Sequence, residues 1–156
     1  MFNKLTADKA RGNIWDFGLN VSRDLMRWNM VNIAAGVLLI SRRGFWRGFG
    51  SQNIGWGLIN IGIATVGGRA MRQRHQKTGL NPITAHQHAK QEASNLKRIL
   101  LVNAGLDVLY MLGGWRFAHS RNWNERREHG IGLGIVLQGG LLLIFDLWKA
   151  SRVPVK

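Results

Sequence analysis

The 156 residues carry 22 Lys and Arg against 8 Asp and Glu, a net charge of +14, and no cysteine. That length corresponds to one domain, and without thiols there are no disulfides, thiolate metal sites or cysteine nucleophile. A mean hydropathy of −0.10 and a pI near 11.7 would suit a soluble nucleic-acid binder, but the charge is segregated: residues 28–41, 48–68, 99–115 and 130–145 contain a single charged side chain, Asp107.

In chain order, residues 1–9 lack an apolar core followed by a small-residue cleavage site, so no cleaved signal peptide is expected. Residues 9–28 have the pattern of an amphipathic helix. Ile14, Phe17, Val21, Leu25 and Trp28 recur at steps of three and four, opposite Lys9, Asp16, Asn20, Arg23 and Arg27. Such a helix lies in the headgroup region of a bilayer, so residues 1–28 are expected to be a cytoplasmic segment with Phe17, Val21, Arg23, Arg27 and Trp28 at the membrane surface. The first expected span is short, because Arg27 and Arg42 bracket 14 uncharged residues and about 20 are needed to cross a bilayer core. The second, Gly48 to Gly68, has 21 uncharged residues and is expected to end at Gly67-Gly68 before Arg69. Asn81-Pro82 is a helix-start signal, a capping side chain before proline at the first helical position. It predicts a third helix from about Ile83 to Gly113. The predicted layout is a first transmembrane hairpin over 28–68, a basic cytoplasmic loop and helix extension over 69–98, a second hairpin over 99–148 and a cytoplasmic tail over 149–156.

The two hairpins share residues. Val31-Asn32 and Val37-Leu38 recur 71 positions on as Val102-Asn103 and Val108-Leu109. Ile54-Gly55-Trp56-Gly57-Leu58 with Gly62 recurs 77 positions on as Ile131-Gly132-Leu133-Gly134-Ile135 with Gly139. A repeat at fixed spacing implies a duplicated unit. The fold class is therefore an all-α membrane protein, four transmembrane helices in two parallel hairpin repeats, preceded by an interfacial helix.

Orientation follows from the bases. Fifteen (Lys4, Lys9, Arg11, Arg23, Arg27, Arg69, Arg72, Arg74, Lys77, Lys90, Lys97, Arg98, Lys149, Arg152, Lys156) fall on one side and seven (Arg42, Arg43, Arg47, Arg116, Arg121, Arg126, Arg127) on the other. The positive-inside bias places both termini in the cytoplasm, with a bacterial inner (plasma) membrane as the expected location. The partners implied are anionic lipids at the cytoplasmic face and other membrane subunits or further copies, not nucleic acid.

Polar residues inside the spans are the best functional lead. Asn103, Asp107 and Tyr110 share one face of the third helix, Asn29 and Asn32 one of the first, and Asn53 and Asn60 one of the second. Asn32, Asn60, Asn103, Asp107, Tyr110 and Gln138 form the candidate intramembrane site. Two readings stay open: interhelical hydrogen bonds that hold the bundle together, or an ion, proton or ligand pathway around the one deep acid. Gly55, Gly62, Gly130, Gly132, Gly134 and Gly139 are spaced as packing glycines, which allow close helix approach in lipid. A phosphate-cradling loop lacks the preceding strand and the following Lys-Ser or Lys-Thr.

His86 and His88 point about 200° apart on a helix and cannot share a metal. His119 and His129 flank a loop with Glu125 and Glu128, at most a weak surface site. The only interior acids that could pair for acid/base work are Asp107 and Asp146, expected at different depths on different helices, and no catalytic constellation is found. The sequence predicts no cofactor, no metal and no enzyme. It predicts a structural or accessory membrane subunit, with a small oligomeric transporter or channel around Asp107 as the alternative.

Overall fold

A computed structural model describes residues 13–77, 82–120 and 126–154. The described residues form four helices: α1 Ile14–Ile40, α2 Phe45–Lys77, α3 Pro82–His119 and α4 Arg126–Ser151. Asn13 caps α1, its side chain accepting from the Trp15 N–H at 3.2 Å. Gly44, at φ 59° just before α2, occupies the left-handed region that glycine enters at no steric cost. The Asn81 cap and residues 121–125 lie outside the described residues, but α3 does open at Pro82.

The helices are longer than the uncharged runs. α1, α2, α3 and α4 have 27, 33, 38 and 26 residues, or about 40, 50, 57 and 39 Å at about 1.5 Å per residue. Three expected boundaries move. α1 is continuous through Trp28, so no separate N-terminal helix ends there. α2 passes Gly67-Gly68 and continues to Lys77. Both glycines keep helical backbone, Arg, Gln, Met and Ala beyond them are strong helix formers, and bases in the last turn suit the helix dipole. α4 takes in Lys149, Ala150 and Ser151, which therefore do not belong to a free tail.

α1 packs along α2, α3 along α4, and the two hairpins meet mainly through α2 against α4. Glycine sets these approaches. A methyl group placed on Gly36 would lie 2.8 Å from the Gly50 carbonyl oxygen, and one on Gly114 would lie 2.8 Å from that of Gly132. One on Gly57 would lie 3.2 Å from the Asn29 carbonyl oxygen, and one on Gly139 would lie 3.0 Å from that of Asp107. Between the hairpins, Gly48 abuts the Arg127 carbonyl and Gly130 abuts the Phe45 carbonyl. These matching contacts define a two-fold repeat. It relates Gly36 to Gly114 and Asn29 to Asp107, 78 positions on, and Gly48 to Gly130, Gly50 to Gly132 and Gly57 to Gly139, 82 positions on.

The duplication is therefore real, but its register is not the 71 and 77 of the sequence match. In the first helix of each hairpin the error is seven residues, about two turns, which keeps the face. In the second it is five, which at about 100° per residue rotates the face by about 140°. Gly55 and Gly62 accordingly have open space where a Cβ would stand, whereas Gly130, Gly132, Gly134 and Gly139 are in contact. Within the bundle, then, the last four stand at helix contacts and Gly55 and Gly62 do not.

One end of the bundle has an ordinary hydrophobic core of Ile14, Trp15, Val21, Met71, Ala93, Leu100, Ala150 and Val153, flanked by Phe17, Leu19 and Phe145. This corrects the membrane-surface assignment of Phe17 and Val21: the stripe packs on α2, α3 and α4. Arg23, Arg27 and Trp28 of that set are exposed.

Candidate polar site inside the bundle

Away from that apolar end the interior is polar. Asn29, Asn32, Asn53, Asn60, Asp107, Gln138 and Asp146 are all buried. Buried amides need partners, since an unsatisfied one costs about 1–3 kcal/mol, and these have them. Asn32 Nδ2 donates to Gln138 Oε1 at 2.7 Å, and Gln138 Nε2 donates to Asn53 Oδ1 at 2.6 Å. One amide thus ties α1, α2 and α4 together. Below it, Asn60 Nδ2 donates to Asn29 Oδ1 at 3.2 Å and Asn29 Nδ2 to the Leu25 carbonyl at 2.7 Å.

The expected site therefore divides. Asn32 and Gln138 are bonded to each other, and Asn60 is bonded to Asn29. Asn103 is half-buried. Tyr110 lies outside the network, 43% exposed, its ring edge-on to Trp56 at 4.9 Å between centroids. The repeat explains this, because Tyr110 is the counterpart of Asn32 and Trp56 that of Gln138: a hydrogen bond in one half is an aromatic pair in the other. Replacing Gln138 with Leu is expected to cost about 2–4 kcal/mol, by stranding the Asn32 donor and the Asn53 acceptor. Tyr110→Phe is expected to stay within about 0.5 kcal/mol, and chemical unfolding of both variants in detergent checks the contrast.

Asp107 behaves differently. It is 5% exposed, and its Oδ2 is, among the described residues, the one buried side-chain nitrogen or oxygen without a hydrogen-bond partner. Its repeat counterpart Asn29 receives Asn60, whereas α4 places Leu142 at the position equivalent to Asn60. Asp146 of α4 lies close enough to interact with it electrostatically. The expected difference in depth does not keep them apart, because each side chain leans toward the N-terminus of its own helix and α3 and α4 are antiparallel. Asp146 is thus a member of the site that sequence reasoning set aside.

A turn beyond Asp146, Lys149 is also buried, its Nζ 2.6 Å from Asp24 Oδ2 and 4.5 Å from the centroid of the Trp148 ring. This pair joins α4 to α1. Its sequence signal was Asp24 itself, an acid on the basic side of an amphipathic stripe. Near the other end, the His119 and His129 rings stand 6.3 Å apart, each Nδ1 within 3.0 Å of a backbone carbonyl. Among the described residues no three His, Asp or Glu side chains are grouped to hold a metal.

The described residues thus define an all-helical four-helix bundle with amides and acids inside it. The chain belongs to the family of unknown function DUF6992, whose pattern matches residues 24–147. That stretch runs from Asp24 through Asp146 and leaves out the start of α1. No curated protein and no solved structure matches the chain.

Proposed function

We propose that the protein is a four-span integral membrane protein, both ends cytoplasmic, acting without catalysis as a structural or accessory subunit that docks on other membrane helices. By length and hydropathy alone α4 is the one helix among the described residues that qualifies as a span. Within their apolar runs the others carry Asn29, Asn32, Asn53, Asn60 and Asp107 on inward faces, and these lower their averages. What supports four spans is the inverted distribution of side chains. Leu38 of α1, Val66 of α2, Leu109 of α3 and Ile144 of α4 are 73%, 66%, 62% and 67% exposed while the amides are buried. An apolar surface of that extent on every helix is unfavourable in water and ordinary in lipid.

The docking role is carried by glycines the bundle does not use. Gly55 and Gly62 on α2 and Gly105 and Gly113 on α3 meet nothing within 4 Å, and all four are exposed. Glycine in a helix costs about 1 kcal/mol relative to Ala, and in lipid small residues on an outer face are where another helix approaches. Reporter fusions at residues 75 and 156 are expected to read as cytoplasmic and one at 122 as external. A cytoplasmic signal at 122 overturns the four-span reading. Cross-linking in membranes is expected to capture a stable assembly that Gly62→Leu weakens. A second reading, cation or proton handling at Asp107 and Asp146, is favoured by the unpartnered Asp107 oxygen.

A further inference from the structure

We propose that the inner end of the α1–α2 seam is a phosphate site, held by Arg23, Arg69 and Arg72 and filled from the bilayer by the headgroup of an anionic phospholipid. The lipid source rests on the four-span reading above; the phosphate chemistry does not.

A cleft of about 220 Å³ opens between the two helices where α1 leaves its apolar end. The three guanidinium-bearing residues line it together with Ser22, and among the described residues no acid does. Among the described residues none of the three forms an ion pair, Asp24 being engaged by Lys149 and Arg27. Three like charges around one cleft repel each other unless an anion sits among them, and the guanidinium fork matches phosphate oxygens two at a time. At this level Gly67 and Gly68 face Ser22, whose atoms stand 3.5–3.6 Å from where their Cβ atoms would be, an ordinary contact distance.

The cleft is graded along its length. Toward the middle of the bundle its walls are Met26, Ala64 and Thr65, and toward the end the three arginines stand beside Leu19. That gradient fits a molecule with an acyl chain on one side of its phosphate. Nor does the fold require it: the repeat places Leu101, Ser151 and Pro154 where the first hairpin has Arg23, Arg69 and Arg72. The basic cleft is particular to one half of the molecule.

The test uses the full chain in phosphatidylcholine nanodiscs doped with phosphatidylglycerol, with retained lipid read by native mass spectrometry. The wild type is expected to retain phosphatidylglycerol preferentially. The triple variant Arg23→Gln, Arg69→Gln, Arg72→Gln is expected to lose that preference by about tenfold or more, since each base near an anionic headgroup contributes about a fivefold factor. A second triple, Lys77→Gln, Lys90→Gln, Lys97→Gln, removes equal charge from the same side outside the cleft and is expected to change it by no more than about twofold. Equal loss in both triples, or no preference in the wild type, overturns the site in favour of diffuse attraction. All six side chains are exposed, and circular dichroism confirms that both triples remain helical. In a separate arm, inorganic phosphate is titrated into the protein in detergent and followed by phosphorus NMR. Arginine-dependent binding as tight as that of the lipid keeps the cleft and overturns the lipid as its source. Failure to enter nanodiscs overturns the four-span reading, and the phosphate arm still reads the cleft.

Discussion

Gly130→Ala is expected to cost about 3 kcal/mol or more, at the upper end of what overpacking costs in a close-packed interior. The added methyl has backbone to displace: the Phe45 carbonyl and the Phe49 N–H of α2 stand where the Cβ would go. Neither can rotate away as a side-chain tip would, so α2 and α4 must separate, opening the interface between the hairpins. Gly48→Ala meets the Arg127 carbonyl in the same way and is expected to match it, because the repeat exchanges the two positions. Gly55→Ala and Gly62→Ala are the controls. Their Cβ atoms enter open space, and exchanging glycine for alanine within a helix gains about 1 kcal/mol, so both are expected to be neutral or stabilising for the isolated chain. Unfolding by SDS titration of the four variants measures the difference, and a Gly130→Ala protein as stable as Gly62→Ala would refute the close crossing.

Those two glycine pairs also mark where the sequence stops being legible. Helix number and the pairing into hairpins follow from four uncharged runs and short basic turns, and Pro82 alone locates the start of α3. The interior amides were readable from their spacing because Asn29, Asn32, Asn53 and Asn60 keep one face of each helix. The register between the hairpins was not. Matching Gly55-Trp56-Gly57 to Gly132-Leu133-Gly134 maximises identity, yet packing is decided by which backbone each glycine touches, and there Gly57 corresponds to Gly139 and Gly50 to Gly132. A shift of five residues leaves the string looking the same and turns the face away. The N-terminal stripe failed for a related reason. Periodicity shows that Phe17 and Val21 face something apolar, but not whether that is lipid or Met71, Leu100 and Val153. Asp146 was hidden because depth along antiparallel helices cannot be counted before the register is known.

Asp107 is the residue at which stability and function are expected to part. Were it part of the hydrogen-bonded glue, it would hold a partner as Asn29 does. Instead its Oδ2 has none among the described residues, and the neighbouring side chain is a second acid, Asp146. Removing the carboxyl strands nothing. Asp107→Leu is therefore expected to assemble and to unfold no more easily than the wild type, and Asp107→Asn to be at least as stable, because its amide can donate to Asp146. A buried acid that contributes no stability and sits in an apolar segment is by default there for what it does. If the carboxylate pair binds a cation or relays a proton, charge is the essential property, and both variants abolish that activity while the bundle stays intact; Asp146→Asn follows them. Cation or proton flux into vesicles holding each variant, set beside its unfolding curve, reads the two quantities independently. Stability unchanged with flux lost identifies the pair as the working site. Stability lost by about 2 kcal/mol or more in Asp107→Leu, the cost of stranding a buried partner, would make the acid structural and end the transport reading.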